Sequence, residues 1–167
     1  MKRMMVIAVM LLGIALGAAT ARAQICGADV KHSTKRVKSK SPLETNPPAD
    51  KAVVYVFLVR ADHSQHKVSV DREWAGINKN GPGASYFVFA GEPGAHDVCS
   101  KGTIASHLMM NLEAGKTYYL QQVQRMNEIG WGDELQLSQI SKEEAAALLR
   151  KAGRTIFWEK GKAEPTE

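Results

Sequence analysis

The residues best suited to metal binding are two neighbouring histidines, His63 and His66. On a strand, side chains three positions apart point to opposite faces, so chelation by this pair would require a turn. We therefore treat His63 and His66 as weak metal candidates and expect two solvated loop side chains. No cofactor is predicted.

The other residues that could act as acids, bases or nucleophiles do not form a recognisable motif. His96 follows a Pro-Gly turn and His107 lies within a predicted strand, so we expect both to be structural. The sequence contains no H-E-x-x-H, C-x-x-C or G-x-S-x-G motif and no phosphate-binding loop. The chain is therefore predicted not to be an enzyme. A hydrolytic site would need a compact cluster, such as His96 and Asp97 beside a buried hydroxyl.

Two tryptophans in predicted loops are the better binding candidates. Trp74 lies in the first turn of the body, and Trp131 stands between two glycines. Large aromatic side chains on exposed backbone often anchor a protein partner. The alternative is that both indoles fold back and cover the ends of the domain.

The N-terminus has the pattern of a secretory signal peptide over residues 1–23. Two basic residues precede an apolar run over 4–19, and Ala21-Arg22-Ala23 supplies small residues at the cleavage positions. The apolar run is short for a bilayer span. We expect a periplasmic or secreted protein with no transmembrane segment after cleavage. The alternatives are a retained anchor and lipidation at Cys26, although Ile25 is larger than the residue that normally precedes a lipidated cysteine.

Export changes the interpretation of the two cysteines. In an oxidising compartment an even number of cysteines favours pairing, and Cys26–Cys99 is the one possible internal disulfide. A bridge across this separation would stabilise the fold by roughly 4 kcal/mol on the loop-entropy account. Two unrelated thiols are the alternative.

The charge distribution argues against nucleic-acid binding. The formal net charge is +5, but residues 1–23 hold three basic residues and no acid, which leaves +2 after cleavage. Residues 24–50 form a basic, proline-containing segment that we predict to be a linker. The remaining body has equal numbers of acidic and basic residues, whereas nucleic-acid binding needs a concentrated basic surface.

The body, over 51–160, has the pattern of an all-β domain. Residues 52–60 are apolar on both faces, which predicts a central strand, and further short apolar runs are separated by Gly, Pro and Asn turns. One helix is predicted over 141–152, with a capping box at its start and Gly153 at its end. The expected fold is an antiparallel β-sandwich or partly open barrel of about seven or eight strands with one C-terminal helix. Residues 161–167 are predicted to be a disordered tail.

Six features of the body carry a resemblance: AVVYVF (52–57), VSVD (68–71), Gly76, YF (86–87), PGAH (93–96) and AGKTYY (114–119). Together they resemble a family of bacterial envelope proteins catalogued as domain of unknown function 2846. Their spacing is also similar to that of PEGA-type β-sandwich domains. The resemblance covers roughly residues 51–140, implies export and a sandwich fold, and supplies no catalytic residue. A longer first turn is expected, because Arg72-Glu73 stands where the pattern usually has glycine.

These observations predict an exported, non-enzymatic envelope domain that binds another envelope protein or a cell-wall component. A periplasmic small-molecule or metal-binding protein is the alternative. The partner, the ligand and the oligomeric state are not encoded in any motif of the sequence.

Overall fold

The computed structural model describes residues 26–27, 32–38, 47–59, 65–79, 83–102, 104–126 and 133–163. Within these residues the chain forms ten strands and one helix. The predicted signal peptide, His63 and Trp131 lie outside the described residues. The elements are β1 (His32–Lys38), β2 (Ala52–Val59), β3 (Gln65–Val70), β4 (Glu73–Lys79), β5 (Ser85–Gly91), β6 (Gly94–Lys101), β7 (Ser106–Leu112), β8 (Thr117–Met126), β9 (Asp133–Gln139), α1 (Lys142–Leu149) and β10 (Gly153–Glu159).

The strands form two sheets. The larger sheet has the order β1-β10-β5-β2-β8-β9, and the smaller has the order β4-β3-β6-β7. This confirms the mainly-β fold class with one C-terminal helix. The described residues form ten strands, whereas about seven or eight were predicted, and β1 falls in the segment predicted as a linker.

Within the described residues, six of the eight strand pairs are antiparallel, as predicted, and two are parallel. β2 pairs with β8 in parallel, and β10 pairs with β5 in parallel. Parallel neighbours need a long crossover connection. Between β2 and β8 that connection includes the whole smaller sheet, and between β5 and β10 it includes β6 to β9 and α1.

The central strand β2 is covered on both faces, as its sequence predicts. Val54 and Val56 face the smaller sheet and join the core between the two sheets. Tyr55 and Phe57 point the opposite way and pack in a second cluster that includes Ala145 of α1. The molecule therefore has three layers, with the larger sheet between the helix and the smaller sheet.

The helix begins as its sequence predicts. Ser141 is the N-cap, its hydroxyl accepts a hydrogen bond from the Glu144 backbone, and the Glu144 carboxylate accepts one from the Ser141 backbone. The helix ends at Leu149, and Gly153 is already the first residue of β10. In the described part of the chain, no helix has the length and apolar character that a membrane span requires.

In the segment predicted as a linker over 24–50, the structure describes residues 26–27, 32–38 and 47–50. Residues 32–38 form β1, which pairs antiparallel with β10 along its whole length at the edge of the larger sheet. Cys26 and Gly27 pack on the smaller sheet, where a Cβ at Gly27 would overlap the Arg72 carbonyl oxygen. The linker prediction is therefore wrong at both places, because backbone pairing and a covalent bridge fix these residues without an apolar pattern.

Buried polar side chains join the two sheets inside the sandwich. The Asn78 side-chain amide donates to the Val56 carbonyl at 3.2 Å and to Gln122 Oε1 at 2.6 Å. Gln122 in turn donates to Ser100 Oγ at 2.9 Å. Since these buried amides find partners across the interface, they fix how β4, β6 and β8 face one another.

Candidate functional site

An open groove of about 460 Å³ lies between the β3–β4 turn and the β5–β6 turn. Its walls combine aromatic and aliphatic side chains with three carboxylates and one imidazole. Because β5 belongs to the larger sheet and β6 to the smaller, the second of these turns carries the chain from one sheet to the other. The lining residues are Val70, Asp71, Glu73, Trp74, Ala75, Phe89, Ala90, Gly91, Glu92 and His96.

The β3–β4 turn is held by Asp71. Asp71 and Arg72 both have positive φ, +49° and +73°, and form a tight two-residue reversal. The expectation of a longer turn here is therefore wrong. The Asp71 backbone N–H donates to the Asp97 carbonyl at 3.0 Å, and Asp71 Oδ1 accepts from the Asp97 backbone N–H at 3.0 Å. These bonds attach the turn to β6.

His96 links the two turns of the groove. Its Nδ1 lies 2.6 Å from Asp71 Oδ2, and its Nε2 lies 2.8 Å from the Glu92 carbonyl oxygen. A carboxylate and a carbonyl oxygen both accept hydrogen bonds, so both ring nitrogens must donate, which only the imidazolium can do. The bond to Asp71 accordingly raises the pKa of His96. The pKa of Asp71 is lowered, first by the Asp97 backbone N–H and then by His96.

The groove carries more negative than positive charge. Glu92 pairs with Lys51 at 2.9 Å, and Asp71 pairs with His96. Glu73 is exposed and has no ion pair within the described part of the chain. A carboxylate beside the Trp74 and Phe89 rings suits a ligand that presents a positive charge on an apolar stem.

Trp74 lies in β4 rather than in a loop. It follows the Asp71–Arg72 turn directly and is half-buried, and the Lys67 ammonium lies 5.2 Å from the centroid of its ring. It contributes one wall of the groove. Trp74 is thus half-buried and lines a groove, and its role as a binding anchor stays a prediction. Trp131, the second predicted anchor, lies outside the described residues.

The predicted histidine pair is also only partly described. His66 is 3% exposed and lies in β3, opposite Asn78 of β4, so the expectation of a solvated loop side chain is wrong for this residue. The pairing of β3 with β4 begins at Gln65, one position before His66. Because His63 is outside the described residues, the metal site remains untested there.

The predicted Cys26–Cys99 disulfide is present. The two Cα atoms are 5.4 Å apart, and both side chains are buried. This separation is within the usual range for a disulfide. The Cys26 sulfur is engaged in the bridge, and a lipid thioether would require that same sulfur to be free.

A histidine–aspartate pair next to the disulfide was missed by the sequence interpretation. His107 Nδ1 is 3.0 Å from both Asp97 carboxylate oxygens, and its Nε2 is 3.3 Å from Cys99 Sγ. The predicted neighbours His96 and Asp97 do not act together, since adjacent strand residues point to opposite faces. The sequence signal for this cluster is the spacing of Asp97 and Cys99, which places both side chains on one face of a strand, together with a histidine on the next strand.

Comparison with known proteins gave no match to a family model, to a curated protein or to a solved structure. The resemblance to the envelope family of domain of unknown function 2846 and to PEGA-type domains therefore stays a prediction.

Proposed function

We propose that this protein is an exported, non-enzymatic envelope domain whose groove binds a positively charged segment of another envelope protein. Two features support export. The N-terminus has the pattern of a signal peptide, and structural disulfides persist in oxidising compartments. Periplasmic or secreted localisation is part of the proposal.

The observation that carries the proposal is the combination of carboxylates and aromatic rings in one groove. Asp71, Glu73 and Glu92 surround apolar walls that include Trp74 and Phe89. A lysine or arginine side chain offers a matching cation on an apolar stem that can pack against such rings. Complementary charge mainly gives specificity and faster association.

Two of the three carboxylates in the groove are already engaged by neighbouring groups, and the third has no such partner in the described part of the chain. Asp71 is held by His96 and by the β6 backbone, and Glu92 is engaged by Lys51. Glu73 has no such partner among the described residues and, like Trp74, lines the groove from the start of β4. We therefore assign Glu73 the direct contact with the incoming cation.

Peptide titration of the mature protein, with its disulfide intact, tests this proposal. The probe is a short synthetic peptide in which Lys alternates with Leu, and the control peptide has Glu in place of Lys. The basic peptide should bind saturably, and its affinity should fall with added salt. Glu73→Gln should weaken binding about two- to fivefold, the size of one exposed ion pair.

Glu143→Gln is the matched control variant. Glu143 is an exposed carboxylate on α1, at the opposite face of the larger sheet, and should leave the affinity unchanged. Equal binding of the acidic peptide, or equal weakening by both variants, would contradict the proposal. Saturable binding of a purified cell-wall peptide with a free amine, without binding of the Lys peptide, would assign the groove to a cell-wall component instead.

A small-molecule ligand is the second candidate, because about 460 Å³ lies within the usual size range of ligand pockets. The same charges would favour a small organic amine. Native mass spectrometry of protein purified from its own compartment tests this reading. A bound mass that is lost in Trp74→Ala supports it, and a clean mass of the protein alone rejects it.

A further inference from the structure

The outer face of the smaller sheet brings together the disulfide, an imidazole and a carboxylate. Asp97 and Cys99 are two positions apart on β6, so their side chains point to the same face. His107 lies directly opposite Cys99 on β7. Cross-strand partners of this kind have their Cβ atoms about 5 Å apart. The sulfur atoms of Cys26 and Cys99 and one nitrogen of His107 all lie within 4.8 Å of one another.

The imidazole of His107 is oriented by Asp97. Both Asp97 oxygens are 3.0 Å from Nδ1, which places the ring proton on that nitrogen. The Nε2 lone pair is then directed at Cys99 Sγ, 3.3 Å away. A carboxylate behind a histidine is the usual outer partner of a metal-binding imidazole.

A buried hydroxyl on the neighbouring strand gives a second, independent indication. Ser69 of β3 is opposite Cys99 of β6 and is fully buried. Its Oγ has no hydrogen-bond partner among the described residues. A disulfide sulfur accepts hydrogen bonds only weakly, whereas a thiolate is a charged acceptor. A thiolate on Cys99 would offer this buried hydroxyl a charged acceptor on the neighbouring strand, which the disulfide does not.

We propose that reduction of the Cys26–Cys99 bridge by a dithiol creates a Zn²⁺ site. Cys26 Sγ, Cys99 Sγ and His107 Nε2 are the ligands, Asp97 orients the imidazole, and the Ser69 hydroxyl donates to the Cys99 thiolate. Two thiolates and one imidazole are a donor set that Zn²⁺ prefers. This inference is independent of the proposed groove function.

The site forms in two steps, reduction of the disulfide and then binding of the metal. The dithiol reductant transfers two electrons and two protons, so that the S–S bond breaks, two thiols form and the reductant becomes a disulfide. Zn²⁺ then displaces both thiol protons, which pass to solvent, and His107 binds as the neutral imidazole. No further oxidant or co-reactant is required.

The required movement is small. Tetrahedral Zn²⁺ with ordinary bond lengths needs an S···N separation of about 3.6 Å and an S···S separation of about 3.8 Å. Cys99 and His107 already meet the first requirement to within a few tenths of an ångström. Reduction allows the required S···S separation, because the two sulfurs are then no longer covalently bonded. The His107 and Asp97 side chains, 22% and 21% exposed, provide the route for the ion from solvent.

The experiment compares oxidised and reduced mature protein, using a phosphine reductant that does not compete for zinc. Native mass spectrometry and competition with a chromophoric chelator report Zn²⁺ binding, and far-UV circular dichroism reports the fold. The oxidised protein should bind no zinc and the reduced protein one ion. Asp97→Asn should weaken the affinity 10- to 100-fold, whereas Glu113→Gln, at an exposed carboxylate after β7, should not change it.

Ser69→Ala separates a metal-binding role from a purely structural one. It should weaken zinc binding by the reduced protein about fivefold, while leaving the oxidised protein at least as stable as the wild type. A reduced protein that binds no zinc would overturn the proposal, whether or not it stays folded. Zinc binding that Asp97→Asn and His107→Ala leave unchanged would also overturn it, because it would come from cysteines of an unfolded chain.

Discussion

Replacing His96 with glutamine tests how the groove is held together. The His96 imidazolium donates to both Asp71 and the Glu92 carbonyl, whereas one glutamine side chain cannot direct two donors along these opposite directions. The variant therefore loses the bridge between the β3–β4 and β5–β6 turns. The core residues of the sandwich are not touched by this change.

The loss of stability expected for His96→Gln depends on the type of hydrogen bond that is removed and on the solvent exposure of its two partners. A hydrogen bond between charged groups contributes about 1.5–3 kcal/mol. The His96 side chain is 14% exposed but that of Asp71 is 53% exposed, so solvent screening reduces this contribution. We expect His96→Gln to lower the free energy of unfolding by about 1–2 kcal/mol at pH 5.5.

The sign of the pH dependence is fixed by the direction of the two pKa shifts. Asp71 raises the pKa of His96, so this stabilisation is fully present below the unfolded histidine pKa of about 6.5 and is lost as the pH rises through the folded value. The pKa of Asp71 is lowered, so its contribution is present above about pH 4 and is lost as the pH falls through its folded value. The cost of His96→Gln should be largest between about pH 4 and 6.5.

Urea unfolding of wild type and variant at pH 5.5 and 8.5 measures this difference. The cost of His96→Gln should fall by about half at the higher pH, since the neutral ring keeps only one of its two donors. Lys116→Gln, which removes an exposed ion pair with Glu113, is the control and should leave the free energy of unfolding unchanged within error at either pH. An equal cost of His96→Gln at both values, or a larger cost at pH 8.5, would refute the reasoning.

Three further predictions concern the scaffold. Arg72→Gly should raise the free energy of unfolding by about 1 kcal/mol in urea titrations, because arginine has a positive φ there and glycine is favoured; a loss of stability would contradict the turn geometry. Gly76→Ala should lower it by about 2–3 kcal/mol, since the new methyl group overlaps the Phe87 ring, and an unchanged midpoint would argue against this packing. Replacing both Cys26 and Cys99 with serine should cost about 4 kcal/mol, as expected for a bridge spanning 73 positions; equal melting temperatures of oxidised wild type and variant would refute it.

Local patterns in the sequence predicted the centre of the fold. Apolar residues on both faces of β2 identified a strand covered on each side, and Ser141 with Glu144 identified the start of α1. The edge strand β1 could not be found in this way. It lies on the rim of the larger sheet, and its partner β10 is more than 110 positions further along the chain. Neither an apolar period nor a local turn marks such a strand.

The candidate sites also depend in part on contacts between residues that are far apart in the sequence. The disulfide was predictable because two cysteines leave one possible pairing. The partners of His96 and His107 depend instead on register between strands. His96 meets Asp71 from a turn 25 positions away, and His107 meets Asp97 because β7 pairs with β6 in one particular alignment. A shift of one residue would reverse which face each side chain occupies.

The most direct test of the proposed function is chemical-shift mapping of the isotope-labelled mature protein with the Lys–Leu peptide. We predict saturable shifts of backbone amides that line the groove, including Trp74, Gly91 and His96, and no shifts with the matched Glu–Leu peptide. Shifts confined to α1 or β9, or the absence of any saturable shift with the Lys–Leu peptide, would contradict binding of a basic segment in this groove.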